Sequence, residues 1–188
     1  MPLYNVPMTS SNDIPNTFSA PARLQPKRPL SLGAGAVVMH DERVLLVRTI
    51  YGVTKGRYLL PAGRVNQGEM PDAAAARETF EETNLRVEIE GLLGVRLWVM
   101  ESGEHNYFFM FRAKLLSSIS DLRHNPSELD DARFFSRTEM DALGPDETWA
   151  GAIAVACKGL DTQATLWPNN AALRDDSVNT SDQWRIWL

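Results

Sequence analysis

The part of this chain that most constrains its fold and function is the acid-rich stretch over residues 63–85, GRVNQGEMPDAAAARETFEETNL. Proline is favoured at the first position of a helix, and asparagine is accepted in a left-handed C-terminal cap. Pro71 and Asn84 therefore predict a loop that leads into a helix over about residues 71–83.

Three carboxylates, those of Glu78, Glu81 and Glu82, share one face of this predicted helix. Most acidic clusters are solvated surface, but like charges three or four residues apart destabilise a helix by about 0.2–0.5 kcal/mol per pair. Carboxylates near the C-terminal end also oppose the helix dipole, and Arg77 offsets only part of that cost by pairing with Glu81. Because hard cations such as Mg²⁺ and Mn²⁺ bind carboxylate oxygens, the cluster favours a divalent metal site.

The other residues of this helix predict how it packs. Ala74 and Ala75 are expected to flank the carboxylates and to leave room for a ligand. The core-facing stripe is expected to consist of Ala73, Ala76, Phe80 and Thr83.

The same stretch resembles a Nudix box. That pattern has a glycine, a glutamate after five further residues, an Arg-Glu pair, and then a Glu-Glu pair before a closing glycine and an aliphatic residue. Thr79 stands where an aliphatic residue is usual and Asn84 where the closing glycine is usual, and neither departure removes a carboxylate. The matching residues are Gly63, Glu69, Arg77, Glu78, Glu81, Glu82 and Leu85.

The resemblance implies an α/β fold, a Nudix-like α/β/α sandwich with a mixed β-sheet, over roughly residues 33–158. It also implies a metal-dependent pyrophosphohydrolase that cleaves the diphosphate linkage of a nucleoside diphosphate joined to another group. Nucleoside triphosphates, sugar nucleotides and dinucleotide polyphosphates all remain open as the small-molecule substrate.

The resemblance further implies roles for individual residues. Glu78, Glu81 and Glu82 are expected to hold Mg²⁺ or Mn²⁺ and to act in catalysis. Arg77 is expected to orient these carboxylates. Ala62 is expected to offer its backbone carbonyl to the metal, although many members of the family carry glycine there.

Three further residues of this stretch are expected to give structural support. Gly63 opens the pattern, and Gly68 is expected to permit the turn that aims Glu69 at the start of the helix. An acid at that place stabilises the helix dipole, so Glu69 is expected to act on the fold rather than on the chemistry.

The general base is expected outside the box. Glu128 lies in the polar loop over residues 117–131, six residues before Phe134, where the resemblance implies an acid that faces the metals. An exposed loop acid without a catalytic role is the competing interpretation. Glu101 and Glu104 are rival candidates, and one of the box acids is a further alternative.

Three residues are candidates for binding the substrate. Arg48 at the end of a strand and Arg57 in the glycine-broken loop over residues 50–57 could reach a phosphate, but solvated positions are the alternative. Tyr107 belongs to an aromatic strand and could stack on a nucleobase, whereas core packing is the usual role of such residues.

Two other functions compete with hydrolysis. A Nudix domain can bind a nucleotide or metabolite as a sensor without cleaving it, but a pure binder has no need of a repulsive triad of carboxylates. The isomerase branch of the family uses a reactive cysteine, and the lone Cys157 is expected to be buried filler in a helix.

Composition limits the remaining possibilities. The 188 residues carry a formal charge of −5, which argues against general nucleic-acid binding and against binding to an anionic membrane. The single cysteine excludes an internal disulfide and is typical of a reducing cytosol, and no apolar run is long enough to span a bilayer. A cytoplasmic location is expected.

The chain divides into three parts by composition. Residues 1–30 form a proline-rich N-terminal arm, residues 31–159 the Nudix hydrolase domain, and residues 160–188 a C-terminal tail with three tryptophans. Such ends suggest docking, either on the same chain or in a homodimer that forms through the terminal arms.

Local patterns predict the other elements. A hairpin is expected to turn at Asp41 and Glu42, and long strands are expected over residues 86–100 and 105–116, the second buried on both faces. A strand is expected over residues 132–135. A short helix is expected over residues 136–143, followed by a longer one over residues 145–158 that Gly159 closes.

Overall fold

A computed structural model describes residues 30–99, 102–161, 163, 164 and 166 of the chain. The predictions for the arm over residues 1–29, for Glu101 and for the tail tryptophans Trp167, Trp184 and Trp187 lie outside the described residues. Within the described residues, no helix has both the length and the apolar character needed to cross a membrane.

The predicted hairpin is confirmed. Strands β1 (Leu30–His40) and β2 (Arg43–Thr49) are antiparallel, with Met39 opposite Val44. Asp41 and Glu42 connect them with φ values of 46° and 56°. Two successive left-handed residues form the tight turn whose twist matches that of paired strands.

The sheet contains five further strands, and it is mixed because β1 is parallel to β6 and antiparallel to its other partners. The path through hydrogen-bonded neighbours is β3-β2-β1-β6-β5, while β4 pairs with β1 and β7 with β2. These strands are β3 (Tyr58–Leu59), β4 (Ala62–Arg64), β5 (Val87–Val99), β6 (His105–Leu115) and β7 (Leu129–Ser136).

Strand β1 changes partner along one edge. Residues 33–35 pair with β4, whereas Met39 and His40 pair with β2. Strands β3 and β4 follow each other closely in the chain, yet they belong to different branches of the sheet. The segment that joins β3 to β4 therefore lies at the point where the two branches part.

Two hydrophobic cores lie on opposite faces of the sheet. Ala34, Ala36 and Val38 of β1 belong to the core that includes residues of helix α1 (Pro71–Thr83). Val37 belongs to the core that includes Ala156 of helix α3 (Ala150–Leu160). This alternation confirms the predicted α/β/α sandwich.

The predicted bounds of α1 are confirmed, but the expectation for its core face is largely wrong. Ala74 and Ala75, expected beside a ligand, are fully buried against the sheet, and so is Thr79. Phe80, expected in the core, is 41% exposed and lies beneath the guanidinium of Arg86. The buried face of the helix is therefore lined by small residues, which bring its backbone close to the sheet.

Of the other two residues expected in the core-facing stripe, Ala73 is exposed and Ala76 is only half-buried. The fourth member, Thr83, is buried as expected.

The second half of the chain departs from prediction at its boundaries. Helix α2 (Arg137–Asp141) matches the short predicted helix, but α3 begins at Ala150 rather than near residue 145. Thr148 is held beside β3, because its hydroxyl donates to the Tyr58 carbonyl at 2.8 Å. Gly159 lies inside α3, where a side chain would overlap Val37, so its role is close packing and not helix termination.

Strands β6 and β7 also differ from expectation. Phe111 is buried, but Tyr107 is 36% exposed and Phe108 is half-buried, so only part of β6 is enclosed on both faces. Strand β7 begins at Leu129, and Asp131 therefore belongs to the strand rather than to the preceding loop.

Candidate functional site

Arg77 connects the loop after β4 to the acidic face of α1. Its Nε and Nη2 donate to the two oxygens of Glu69 at 2.7 and 2.9 Å, and Nη1 donates to Glu78 at 2.7 Å and to Glu81 at 2.8 Å. Nη2 also reaches the carbonyl of Arg64 at 2.9 Å. These charge-assisted bonds raise the pKa of Arg77 and fix the loop on the helix.

Glu69, predicted to support the start of the helix, also makes contacts that the prediction did not include. Its carboxylate accepts hydrogen bonds from Arg77 and from the backbone N–H of Asn66, and Arg77 lowers its pKa. The acid in the first turn of the helix is Asp72. Gly68 has the positive φ, 80°, that the predicted turn requires.

Gly63 makes room for a carboxylate. A Cβ atom on this residue would overlap the carboxylate of Glu78, so the absence of a side chain lets that group lie against the backbone of β4. The side chain of Glu78 is only 15% exposed. Burial raises its pKa, Arg77 opposes that rise, and the charges of Glu81 and Glu128 add to it.

Glu82 is the most deeply placed of the three helix carboxylates. It is 4% exposed, and one oxygen accepts the backbone N–H of Ala62 at 3.0 Å. Burial raises its pKa to about 8; the Ala62 bond lowers it, while the charges of Glu78, Glu128 and Glu81 raise it. An isolated carboxylate rarely occupies such a place without a compensating cation.

Ala62 departs from the glycine found at this place in many members of the family, and β1 accommodates the change. A Cβ atom on Gly35, its partner across the strands, would lie 2.7 Å from the Ala62 Cβ. The two positions therefore share space for one methyl group, which Ala62 supplies.

The structure brings Glu128 close to the helix acids. The preceding loop is attached to the end of α1, because Asn125 N–H donates to the Glu82 carbonyl at 2.9 Å. The carbonyl of Glu128 accepts the N–H of Ile50 at 3.0 Å. Its charge acts on both Glu78 and Glu82. The rival Glu104 lies in the turn between β5 and β6, where its backbone N–H contacts Ser102.

Tyr51 is a residue of this region that the sequence analysis missed. Burial raises the pKa of its phenol, and the charges of Glu128, Glu82 and Glu78 raise it further. Tyr51 remains 55% exposed beside a 3₁₀ turn at residues 52–54. A lone tyrosine in a glycine-broken loop carries no sequence signal of this proximity.

The predicted substrate-binding residues make no direct polar contact with the helix acids in the described part of the chain. Arg48 donates to Asp130 at 2.7 Å and lies over the ring of Tyr58. Arg57 is half-buried and directly precedes β3, and Tyr107 lies on β6. None of the three hydrogen-bonds or forms an ion pair with a helix carboxylate.

The donor set matches the chemistry of a hard divalent cation. Glu78 and Glu82 are shielded from water and act on each other as like charges, which a cation between them would neutralise. Among the described residues, however, no three acidic, histidine or cysteine side chains converge as a ready metal cage. Glu78 and Glu81 instead each contact Arg77 through one carboxylate oxygen.

The fold and the site together define a class, that of α/β/α sandwiches in which one helix presents clustered acids at an edge of the sheet. A family model described as NUDIX domain matches residues 29–155, and the chain belongs to the Nudix family.

Comparison with known proteins gives both sequence relatives and structural neighbours. The chain is 32% identical over 113 residues to the NAD-capped RNA hydrolase NudC of Edwardsiella ictaluri, covering 60% of this chain and 42% of that relative. It is 34% identical over 65 residues to an ADP-ribose pyrophosphatase of Methanocaldococcus jannaschii. That match covers 35% of this chain and 38% of the relative. The chain thus spans less than half the length of these curated relatives.

A solved structure of a NUDIX hydrolase from Nitrosomonas europaea superimposes with a TM-score of 0.63 at 25% identity, covering 75% of this chain and 93% of that chain.

Proposed function

We propose that this chain is a metal-dependent pyrophosphohydrolase that cleaves the diphosphate linkage of a nucleoside diphosphate joined to another moiety. The observation that carries the proposal is the buried carboxylate of Glu82, held against Ala62 and surrounded by other acids. A purely structural helix would gain stability from an apolar residue at this position. The cost of burying this acid is explained if a cation and a phosphate bind there.

Glu78, Glu81 and Glu82 would hold Mg²⁺ or Mn²⁺, and the carbonyl of Ala62 would be a further ligand. When bound, the metal neutralises phosphate oxygens and lowers the pKa of a bound water. Glu128 accepts a proton from the attacking water as general base, a role supported by the action of its charge on both Glu78 and Glu82.

Arg77 positions the acids in this proposal. Its bonds to Glu69 hold the loop, and its bonds to Glu78 and Glu81 restrain two side chains that would otherwise repel each other. Gly63 and Glu69 support the arrangement without contacting the reacting atoms. Arg48, Arg57 and Tyr107 remain candidates for the outer parts of the substrate.

The names of the relatives support the reaction class. One is a hydrolase of NAD-capped RNA and another an ADP-ribose pyrophosphatase. Nucleoside triphosphates, sugar nucleotides and dinucleotide polyphosphates stay within the proposal as substrates. The division into an arm, a domain over residues 31–159 and a tail, a cytoplasmic location and a homodimer through the arms are parts of the same proposal.

The test is turnover of a panel of such compounds with Mg²⁺ and with Mn²⁺. We expect metal-dependent release of a phosphate-containing product, and a loss of orders of magnitude in kcat for Glu82→Gln. Binding of a panel member without turnover in either metal would instead favour a sensor. An unchanged pH–rate profile for Glu128→Gln would remove that residue as the base.

A further inference from the structure

Arg96 on β5 has surroundings unlike those of the arginines that form ion pairs. Its guanidinium carbon lies 5.8, 5.2 and 5.4 Å from the ring centroids of Trp98, Phe108 and Trp149. Among the described residues, no carboxylate lies within ion-pair distance of it. Burial lowers the pKa of Arg96, as expected for a cation that is shielded from water without a counter-ion.

Hydrogen bonds fix the guanidinium in one orientation. Nη2 donates to the side-chain oxygen of Asn106 at 2.5 Å, and the Asn106 amide donates to Ser31 at 3.0 Å. Nε is buried and has no hydrogen-bond partner among the residues that the structure describes. In the described residues Nη1 makes no hydrogen bond and Nη2 makes one, so N–H groups on the outer edge of the guanidinium are left for a ligand. A buried polar group without a partner requires an explanation, and a cation held in one orientation by its neighbours is suited to binding a ligand.

The two tryptophans leave one part of the sheet open. Trp98 and Trp149 are 47% and 45% exposed. They lie on the face of the sheet that α3 covers farther along, where Val37 and Leu93 are buried. Exposed indole rings beside an arginine form a surface on which a planar aromatic ligand can stack.

This cluster adjoins the edge of the sheet that carries the acids. The ring of Phe108 lies between Arg96 and β1, where a Cβ on Gly35 would meet both Phe108 and Ala62. Trp149 follows Thr148, which is bonded to Tyr58 a few residues before Ala62. Three strand spacings separate β4 from β5, or roughly 14 Å between backbones, so one extended ligand can reach both places.

We propose that Arg96, Trp98 and Trp149 bind the nucleobase of the substrate. The base stacks on an indole ring, and Nη1 of Arg96 donates to an acceptor atom of the base. The assignment rests on the proposed function, because that function supplies a ligand with phosphates at one end and a heterocycle at the other. It concerns recognition and adds no group to the chemistry at the acids.

The test is calorimetric binding of AMP, GMP, CMP and UMP to the metal-free full chain, with ribose 5-phosphate as the ligand that lacks a base. We expect at least one nucleotide to bind about tenfold or more tightly than ribose 5-phosphate. Arg96→Met and Trp149→Leu should remove that difference and leave ribose 5-phosphate binding within about twofold. Trp149→Phe keeps a stacking ring and should retain most of it.

Arg86→Met is the matched control, since Arg86 also lies over an aromatic ring, 5.2 Å from the Phe80 centroid, but on the surface of α1. It should bind all ligands as the unmodified chain does. Thermal melting of each variant checks that it is folded, and Arg96→Lys, which keeps the charge, serves if Arg96→Met does not fold.

Turnover of the substrate panel, measured in parallel, separates the two proposals. Base-dependent binding without turnover overturns the hydrolase proposal and supports this assignment. Turnover with equal binding of nucleotides and ribose 5-phosphate, or base-dependent binding that survives in folded Arg96 and Trp149 variants, overturns the assignment.

Discussion

Replacing Glu82 by glutamine is expected to stabilise the metal-free fold above about pH 8. Folding raises the pKa of this carboxyl from 4.5 to about 8, because it is buried among other acids. Each tenfold change in proton affinity corresponds to about 1.4 kcal/mol, so keeping the group charged in the fold costs up to about 5 kcal/mol. Glutamine removes the charge and keeps an oxygen that can accept the Ala62 N–H bond.

The sign of the pH dependence follows from proton release. Well below pH 4.5 the carboxyl is protonated in the folded and the unfolded chain, so the variant and the unmodified protein differ little. As the pH rises from 4.5 to about 8, the unfolded chain releases its proton first, and the unmodified fold loses stability. The advantage of Glu82→Gln should therefore grow over this interval.

Urea unfolding in EDTA, followed by circular dichroism between about pH 4 and pH 9, gives the free energies of unfolding. Glu88→Gln, at an exposed position on β5, should follow the unmodified chain. Glu69→Gln should have the opposite sign, because Arg77 lowers the pKa of Glu69. The Glu69→Gln variant should be less stable than the unmodified chain near neutral pH, and this difference should disappear as the pH falls. Parallel curves for Glu82→Gln and the unmodified chain would refute the reasoning.

Three other perturbations test the site. Gly63→Ala places a methyl group where the Glu78 carboxylate lies, so kcat should fall at least about tenfold while the fold survives. In the control Gly94→Ala, the nearest atom to the added methyl group is 3.7 Å away, and this variant should keep full turnover. The lysine of Arg77→Lys cannot bridge both oxygens of Glu69 in the same geometry. We expect the free energy of unfolding in urea to fall by about 1–3 kcal/mol and turnover to decrease. Unchanged stability would contradict the bridging role. Mg²⁺ or Mn²⁺ at about pH 8 should raise the melting temperature of the unmodified chain, because a ligand of the folded state stabilises it; a melting temperature independent of metal would count against the metal site.

The sequence predicted the ends of α1 better than its orientation. Pro71 and Asn84 fix the ends through local backbone chemistry, and these rules depend little on the rest of the fold. The rotation of the helix depends on what it faces. The helix contains four consecutive alanines, and the large apolar side chain of Phe80 was therefore expected in the core. The structure instead buries Ala74 and Ala75, whose small side chains allow close packing on the sheet.

Contacts between distant segments explain the other differences. The start of α3 is set by Thr148 on Tyr58, a pairing across the chain that no local pattern records. Tyr51 and Arg96 reach their surroundings only after the sheet has formed. The acids of the box were recognisable because their spacing is local, whereas the placement of Glu128 depends on how its loop is attached to α1.

The shared space between Gly35 and Ala62 links two separate parts of the sequence in evolution. A methyl group on one strand leaves no room for a methyl group on the other, so exchange of the two residues should be tolerated where Gly35→Ala alone is not. In descendants of this chain, a side chain at position 35 should consequently appear only where position 62 has already become glycine.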